Sequence, residues 1–193
     1  MRDQMRDQLK AATRRWFFVG GLLMLMAIIS FAAILQAGGQ AQAASLTTTE
    51  RDWLTYMREE EKLARDVYLF LYDEWGSRIF ARIAASEQTH MDALKTLLGK
   101  YGIADPAAGK APGEFSDPKF ETLYNELTQR GSASLVEALK VGVLIEEIDI
   151  DDLNAAIAST TRSDIKRVYG NLLQGSLNHL DAFNFNLAKL GAT

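Results

Sequence analysis

Glu87-Gln88-Thr89-His90 sets a carboxylate three positions before an imidazole. On a helix those two side chains lie one turn apart on the same face. Carboxylate oxygen and imidazole nitrogen together suit iron, manganese or zinc. Alone, the pattern is common, and a lone histidine on an apolar face is ordinarily a core group. Here the chain has only two histidines, His90 and His179, and both fall at apolar-stripe spacing. Glu61 precedes the pair, and Glu146 and Asp149 follow it, again one turn apart. The chain has no cysteine, which removes thiolate metal sites, thiol nucleophiles and disulfides together.

The elements that would carry these groups follow from periodicity. Trp53, Met57, Ala64, Val67, Tyr68, Leu71 and Trp75 are spaced as one helical face and predict a helix over about 48–75, closed by Gly76. Ser77 is placed to cap a second helix over about 78–101, with Ile79, Ile83, Leu94, Leu97 and Tyr101 on one face. So short a turn permits only an antiparallel hairpin. Residues 102–117 hold the turn formers Pro106, Gly109, Pro112 and Gly113, and Asp117-Pro118 starts a short helix that Gly131 ends. The Ser134-x-x-Glu137 capping box opens a third long helix to about Ala158. Thr161-x-x-Asp164 resembles a second box, opening a fourth helix to Leu190. Helices of ~25 residues are ~37 Å long, and the stretch 102–133 spans that distance easily. The predicted class is all-α: an antiparallel four-helix bundle with one long crossover containing a short extra helix, which is the ferritin-like arrangement.

Each long helix brings polar groups onto its apolar stripe. Glu61 lies on the stripe 57, 61, 64, 68; Glu87 and His90 on 83, 87, 90, 94; Glu146 and Asp149 on 142, 146, 149, 153. Ser176 and His179 share a face with Tyr169, Leu172 and Phe183. Buried unpaired carboxylates are costly, so four helices doing this need a common cause. A bound cation supplies one. The heights agree. The midpoint between Glu61 and Glu87 falls beside the Gly76 turn, and that between Glu146 and Ser176 falls in the turn near Thr161. Glu59 and Glu60 are expected to be solvated, because three consecutive glutamates point different ways around a helix. Glu147 is expected to point outward. Asp149 is either a ligand or a hydrogen-bond acceptor for a histidine N–H. Asp149, Asp151 and Asp152 lack the glycine and later glutamate of a calcium loop.

Arg58-Glu-Glu-Glu-Lys-Leu-Ala-Arg-Asp-Val-Tyr68, Ser86-Glu-Gln-Thr-His90, Ile145-Glu-Glu-Ile-Asp-Ile150 and Gly175-Ser-Leu-Asn-His179 resemble the ferritin-like superfamily of ferritin, bacterioferritin and rubrerythrin. More closely they resemble a ferritin-like domain of unknown function. The resemblance covers about Leu46 to Gly191. It implies that Glu61, Glu87 and His90 serve one metal, and Glu146 and His179 another. It also implies that Asp149 is similar to the second third-helix carboxylate of rubrerythrins, and that Tyr68 is similar to the ferritin tyrosine near the first-helix glutamate. Two iron ions are the implied cofactor, with manganese or zinc as alternatives. One departure stands out: the fourth helix reads Ser176-x-x-His179 where the pattern has Glu-x-x-His. Asp149 could compensate, or the second metal could be weak, absent or not iron.

The rest of the chain bounds the setting. Residues 1–15 carry a net +3, residues 16–43 carry no charge, and the remainder carries −7. That acidic body excludes general nucleic-acid binding. The uncharged run 16–35 is long enough to span a bilayer, Thr13-Arg14-Arg15 looks like a twin-arginine export signal, and Ala41-Gln42-Ala43 is an A-x-A cleavage pattern. Residues 1–43 are therefore expected to be an export signal or membrane anchor. Residues 44–193 are expected to form the bundle domain, periplasmic, extracellular or tethered to the cytoplasmic membrane. Three functions remain open. One is a di-metal carboxylate oxidoreductase of ferroxidase or peroxidase type, with Tyr68 in a redox role and a separate electron-donor protein. The others are a metal-storing, buffering or sensing protein, and a structural bundle with a degenerate site. Homo-oligomer formation is compatible with all three.

Overall fold

The computed structural model describes residues 45–192, and they are all helix and connecting turn. Five helices follow in order: α1 Thr48–Trp75, α2 Arg78–Lys100, α3 Pro118–Gly131, α4 Leu135–Ala158 and α5 Ser163–Lys189. The expected span at 16–35 and the Ala41–Ala43 cleavage pattern lie outside the described residues. Among the described residues no helix is long and apolar enough to cross a membrane.

Helix α1 starts on a reciprocal cap. Thr47 Oγ1 accepts the Glu50 N–H at 3.1 Å, and Glu50 Oε2 accepts the Thr47 N–H at 2.9 Å. It ends at Gly76, whose φ of 61° is left-handed and whose N–H reaches the Tyr72 carbonyl at 2.7 Å. A side chain there would be strained, and that geometry turns the chain straight into α2. The other expected caps hold in part. Ser134 Oγ accepts the Glu137 N–H, but the Glu137 carboxylate pairs with Arg130 and Lys140 instead of returning the bond. Ser77 sits at the α2 N-cap without a side-chain bond, and the α5 N-cap is Arg162, also without a side-chain bond, rather than Thr161. There Asp164 turns to Lys100, the last residue of α2, and to its C-cap Tyr101, both at 2.6 Å, so a tie between helices replaces a local one.

Helix α1 packs on α2 and α4, α5 packs on α4 and α2, and α3 leans on α1 and α4. The apolar core falls into two clusters. One gathers Leu63, Val67 and Leu71 of α1 with Phe80, Ile83, Leu139, Ile148, Phe183 and Leu187, and takes in α3 through Phe120, Leu123 and Leu127. The other gathers Leu54 and Met57 with Leu94, Leu98, Leu153, Ile165, Tyr169 and Leu172. Running from one cluster to the other, α1 and α5 go one way and α2 and α4 the other. Adjacent long helices are therefore antiparallel. Residues 101–134 must return from one end of the bundle to the other, and α3 lies within that return. The predicted helices, hairpins and long crossover are all present.

Candidate metal centre

Between the two apolar clusters lies a polar layer built from all four long helices. Glu61 comes from α1, Glu87 and His90 from α2, Glu146 and Asp149 from α4, and Ser176 and His179 from α5. All are buried, none more than 8% exposed. They arrive together because each replaces a core residue on its helix's inward stripe, at the level where the sequence midpoints put them.

Glu87 is the hub. His90 Nδ1 lies 2.8 Å from Glu87 Oε2 and 3.1 Å from Glu61 Oε2. His179 Nδ1 lies 2.9 Å from Glu87 Oε1 and 3.5 Å from Glu146 Oε2. The two carboxylate oxygens of Glu87 thus each serve one imidazole. Two groups result, Glu61–Glu87–His90 and Glu87–Glu146–His179, and in each the three ligand atoms lie within 4.8 Å of one another. The imidazole rings stack with centroids 5.6 Å apart. Either group matches the oxygen-and-nitrogen donor set of a divalent transition metal.

The outer nitrogens are accounted for. His179 Nε2 meets Ser86 Oγ at 2.9 Å, which fixes the ring and leaves Nδ1 for the cluster. His90 Nε2 rests against Gly175, where an added Cβ would stand 2.5 Å away. Only glycine leaves room for this imidazole. Tyr68 donates its hydroxyl to Glu146 Oε1 at 2.6 Å. Ser176 donates to Asp149 Oδ2 at 2.5 Å. Asp149 joins neither three-residue group; it is held by Ser176, which lies one turn before His179 on α5.

The inner atoms are not satisfied. Glu61 Oε1, Glu87 Oε1, Asp149 Oδ1 and His179 Nδ1 are buried and make no aligned hydrogen bond. Glu87 Oε1 and His179 Nδ1 are only 2.9 Å apart and still misaligned, as two ligand atoms directed at a common ion would be. Buried polar atoms are rarely left so. Electrostatics point the same way. Burial pushes the Glu87 carboxyl up, but His179 and His90 beside it hold it down to about 2. Burial would lower both histidines, yet Glu61 and Glu87 hold His90 up to about 11, and Glu146 and Glu87 hold His179 up to about 10. Burial and then Glu87 push Glu146 up to about 8, and burial, partly offset by Ser176, pushes Asp149 up to about 7. Burial and Asp149 hold Glu61 well above the usual carboxylate range. Without metal, these shifts favour protons on both imidazoles and on Glu61 and Glu146 near neutrality. Ionised, Glu61, Glu87, Glu146 and Asp149 carry four negative charges, which two divalent cations would balance.

A family model described as "Uncharacterized protein domain (DUF2202)" matches residues 50–193. The chain belongs to this family. Every residue of the polar layer lies inside the matched stretch. This DUF2202 chain is 56% identical over 138 residues to "Uncharacterized protein MJ0754" of Methanocaldococcus jannaschii, covering 72% of the chain and 75% of that protein. The crystal structure of hypothetical protein MJ0754 is similar with a TM-score of 0.77 at 51% identity, over 80% of this chain and 89% of that one. A DUF305 fragment from Deinococcus radiodurans is similar in fold alone, with a TM-score of 0.55 at 13% identity over 75% of this chain and 99% of that one.

The sequence-predicted residues Glu61, Glu87, His90, Glu146, Asp149, His179 and Tyr68 converge in this DUF2202 chain. Two expectations fail. Glu59 and Glu60 are not solvated but 3% and 4% exposed. Glu59 caps the start of α3, accepting the Ser116 N–H at 2.5 Å and the Asp117 N–H at 3.2 Å. Glu60 turns to Tyr56 and α4. The crossover covers one flank of α1 and α4 the other, so that part of the helix has no solvent side. Glu147 is half-buried rather than outward. Ser86 and Gly175 were not singled out in the sequence, although Ser86 directly precedes Glu87 and Gly175 lies one turn before His179.

Proposed function

We propose that this DUF2202 chain is a ferritin-like di-metal carboxylate protein, an oxidoreductase that acts on oxygen, peroxide or ferrous iron. The observation that carries the proposal is a buried pair of carboxylate–imidazole groups sharing Glu87, with inner atoms left without donors. Glu61, Glu87 and His90 would hold one ion, and Glu87, Glu146 and His179 the other, with Asp149 beside the second. Two iron ions fit the charge balance and the donor set; manganese or zinc fit the same donors. Iron would supply one-electron redox chemistry with oxygen or peroxide. Tyr68 holds the Glu146 carboxylate in place through its hydroxyl and is the buried phenol nearest the second position. Ser86 and Gly175 set the two imidazoles. The surrounding leucine and phenylalanine side chains exclude water. The chain carries no cysteine, so electrons would come from a separate protein. We assign the bundle to an exported or membrane-tethered location on the strength of residues 1–43.

A second reading, a non-catalytic store or buffer, draws support from Ser176, which removes the carboxylate that would close a symmetric pair. One set of measurements separates the two on protein purified from its native compartment. Metal content, an absorption spectrum in the iron-to-ligand charge-transfer region, and oxygen and peroxide consumption are followed together. Two irons with turnover support the oxidoreductase. Bound metal without turnover supports the store. Protein that neither carries metal nor takes it up overturns both.

A further inference from the structure

The two ends of the bundle differ in charge. Three stretches meet at the end where α1 begins: residues 45–47, residues 101–104 and residues 159–162 between α4 and α5. None of them holds an Asp or Glu, although residues 44–193 carry a net −7. The acids in the adjoining helix turns are tied inward. Glu50 is 6% exposed and accepts from Thr47, Thr160 and Arg162. Asp164 accepts from Lys100 and Tyr101. Asp52, half-buried, is the remaining acid of these turns. The cations of the same turns are left outward. Arg51 on α1 and Lys166 and Arg167 on α5 are exposed, and none joins an ion pair among the described residues. Tyr101 stands half-buried at this end, with Lys100 and Arg162 over its ring at 5.3 and 5.5 Å. At the opposite end, exposed Asp73 and Glu74 accompany exposed Arg78 and Arg82, so neither sign prevails. The basic end is also where the chain enters. Leu46 is buried with Leu54, Leu97 and Ile165, and the Ser45 carbonyl accepts from Arg162 at 2.9 Å.

We propose that this end of the bundle docks on an anionic phospholipid surface, with Arg51, Lys166 and Arg167 against the headgroup phosphates. The proposal rests on the membrane-tethered reading of residues 1–43 and says which end of the bundle faces the bilayer. The uncharged run 16–35 is long enough to span a bilayer, and its positive flank keeps residues 1–15 on the cytoplasmic side and the bundle on the other. From the end of that run to Ser45 the chain reaches at most about 35 Å. The basic end is therefore the end that a tether holds near the headgroups. Three cations spread over the starts of two helices match a charged plane better than a small anion, which needs converging donors. A tyrosine at the rim suits the headgroup level. Each such cation strengthens binding about fivefold on an anionic surface, and salt screens the effect. Glu61 lies ten residues along α1 from Arg51, so docking holds the metal centre roughly 15 Å above that plane.

The test uses the full chain with vesicles of phosphatidylcholine alone or of an equal mixture with phosphatidylglycerol. The chain has no cysteine, so Ala158→Cys gives a unique fluorophore site at the basic end and Ala188→Cys one at the other; both alanines are exposed. Energy transfer to a headgroup-labelled lipid reads which end lies closer. On the mixed vesicles, transfer from position 158 should exceed that from 188. The excess should fall in Arg51→Gln/Lys166→Gln/Arg167→Gln and in high salt. Equal transfer from the two positions on mixed vesicles overturns the proposal, as does an excess that neither salt nor the triple variant reduces. Salt acts on wild type, so the test survives a triple variant that fails to fold. An alkaline wash separates this proposal from the tethered reading. Chain that stays with the vesicles is inserted, and the label comparison then decides docking. Chain that the wash releases from both compositions refutes the tether, and docking is then read by co-flotation. Binding to mixed vesicles on the order of a hundredfold tighter than to phosphatidylcholine, and lost in the triple variant, supports docking without a tether. No preference between the two compositions overturns docking as well.

Discussion

Arg58 to Tyr68 is one stretch of one helix, yet its charged side chains serve two regions that treat buried charge in opposite ways. Toward the crossover each charge has a partner, and of these side chains' atoms only Arg58 Nη1 is left without a hydrogen bond. Arg58 grips Asp105 with two bonds of 2.9 Å, and Glu59 takes the first N–H groups before α3. Lys62 pairs with Asp66 and donates to the Ala111 carbonyl at 2.8 Å, and Asp66 also accepts the Gly113 N–H at 3.0 Å. Toward the bundle axis the charges are left open. Glu61 Oε1 and Asp149 Oδ1 have no donor, and Glu87 Oε1 faces His179 Nδ1 at 2.9 Å without an aligned hydrogen bond. A buried ion pair whose donors and acceptors match holds structure. A buried carboxylate cluster that lacks donors is a vessel for something positive. Burial alone does not distinguish the two; satisfaction does.

The largest expected effect breaks the closed region. Asp66→Ala leaves the Lys62 ammonium, 1% exposed, with the Ala111 carbonyl and the face of the Phe115 ring but no anion. Removing one partner of a buried pair typically costs about 3–5 kcal/mol. Chemical denaturation should show a loss of that size in both metal-free and metal-loaded protein, with metal stoichiometry per folded molecule unchanged. A loss below about 1 kcal/mol, the range of surface pairs, would show that the crossover charges are solvated after all.

Glu87→Gln attacks the open region, and its signature should lie in the metal-linked rise. Without metal it removes the anion that His90 and His179 both face, so the melting temperature at neutral pH should fall. With metal it should abolish the rise that wild type shows, about 2.7 kcal/mol at a hundredfold excess over Kd. A wild type that melts at the same temperature with and without saturating metal would sink the distinction. The metal-linked rise should also depend on pH. His90 and His179, held up to about 11 and about 10, and Glu146, at about 8, keep protons near neutrality that an ion must displace. Affinity should therefore fall from pH 8 to pH 6, with proton release visible as buffer-dependent heats in calorimetry.

Gly175→Ala tests the seat of one imidazole. The new methyl would stand 2.5 Å from His90 Nε2 and 3.9 Å from the His179 ring, so His90 must move and His179 need not. Overpacking of this kind costs about 1–3 kcal/mol. Occupancy at Glu61–Glu87–His90 should drop while the Glu146–His179 side fills nearly as before, measured by metal-edge anomalous scattering. Equal loss at both positions would mean that the layer moves as one body.

What was legible in the sequence followed from periodicity and histidine scarcity. The inward stripes placed Glu61, Glu87, His90, Glu146 and His179 because each substitutes for a core residue in a regular pattern. Their level agreed because hairpin turns fix register. Glu59 and Glu60 were illegible because their burial comes from the crossover and from α4, remote segments that leave no local periodic signal. The α5 start was misplaced for a related reason. Thr161 and Asp164 have cap spacing, but Asp164 is drawn to Lys100 and Tyr101 across the bundle end. Gly175 was visible as a residue and silent as a constraint, since only the position of His90 shows why a Cβ is excluded.

The smallest expected effect concerns the departure at the fourth helix. Ser176 offers no charge, but it donates to Asp149 Oδ2 and leaves Asp149 Oδ1 directed inward without a donor. Under the di-metal proposal, Asp149 would supply from α4 a carboxylate where α5 has Ser176. Asp149→Asn preserves shape, and its amide oxygen can still accept from Ser176, so the fold should hold within about 0.5–1.5 kcal/mol, the worth of one hydrogen bond. The lost charge bears on the second ion. Its affinity should fall about tenfold, equivalent to about 1.4 kcal/mol, while the Glu61–Glu87–His90 position stays largely filled. Ser176→Glu is a stricter comparison. Ser176 is fully buried at 0% exposure, so a glutamate there must displace Asp149 rather than add to it. The expected result is affinity restored in Ser176→Glu/Asp149→Asn relative to Asp149→Asn alone. If titration shows the double variant no tighter than the single one, Asp149 does not stand in for the missing carboxylate, and the second position is held by Glu87, Glu146 and His179 alone.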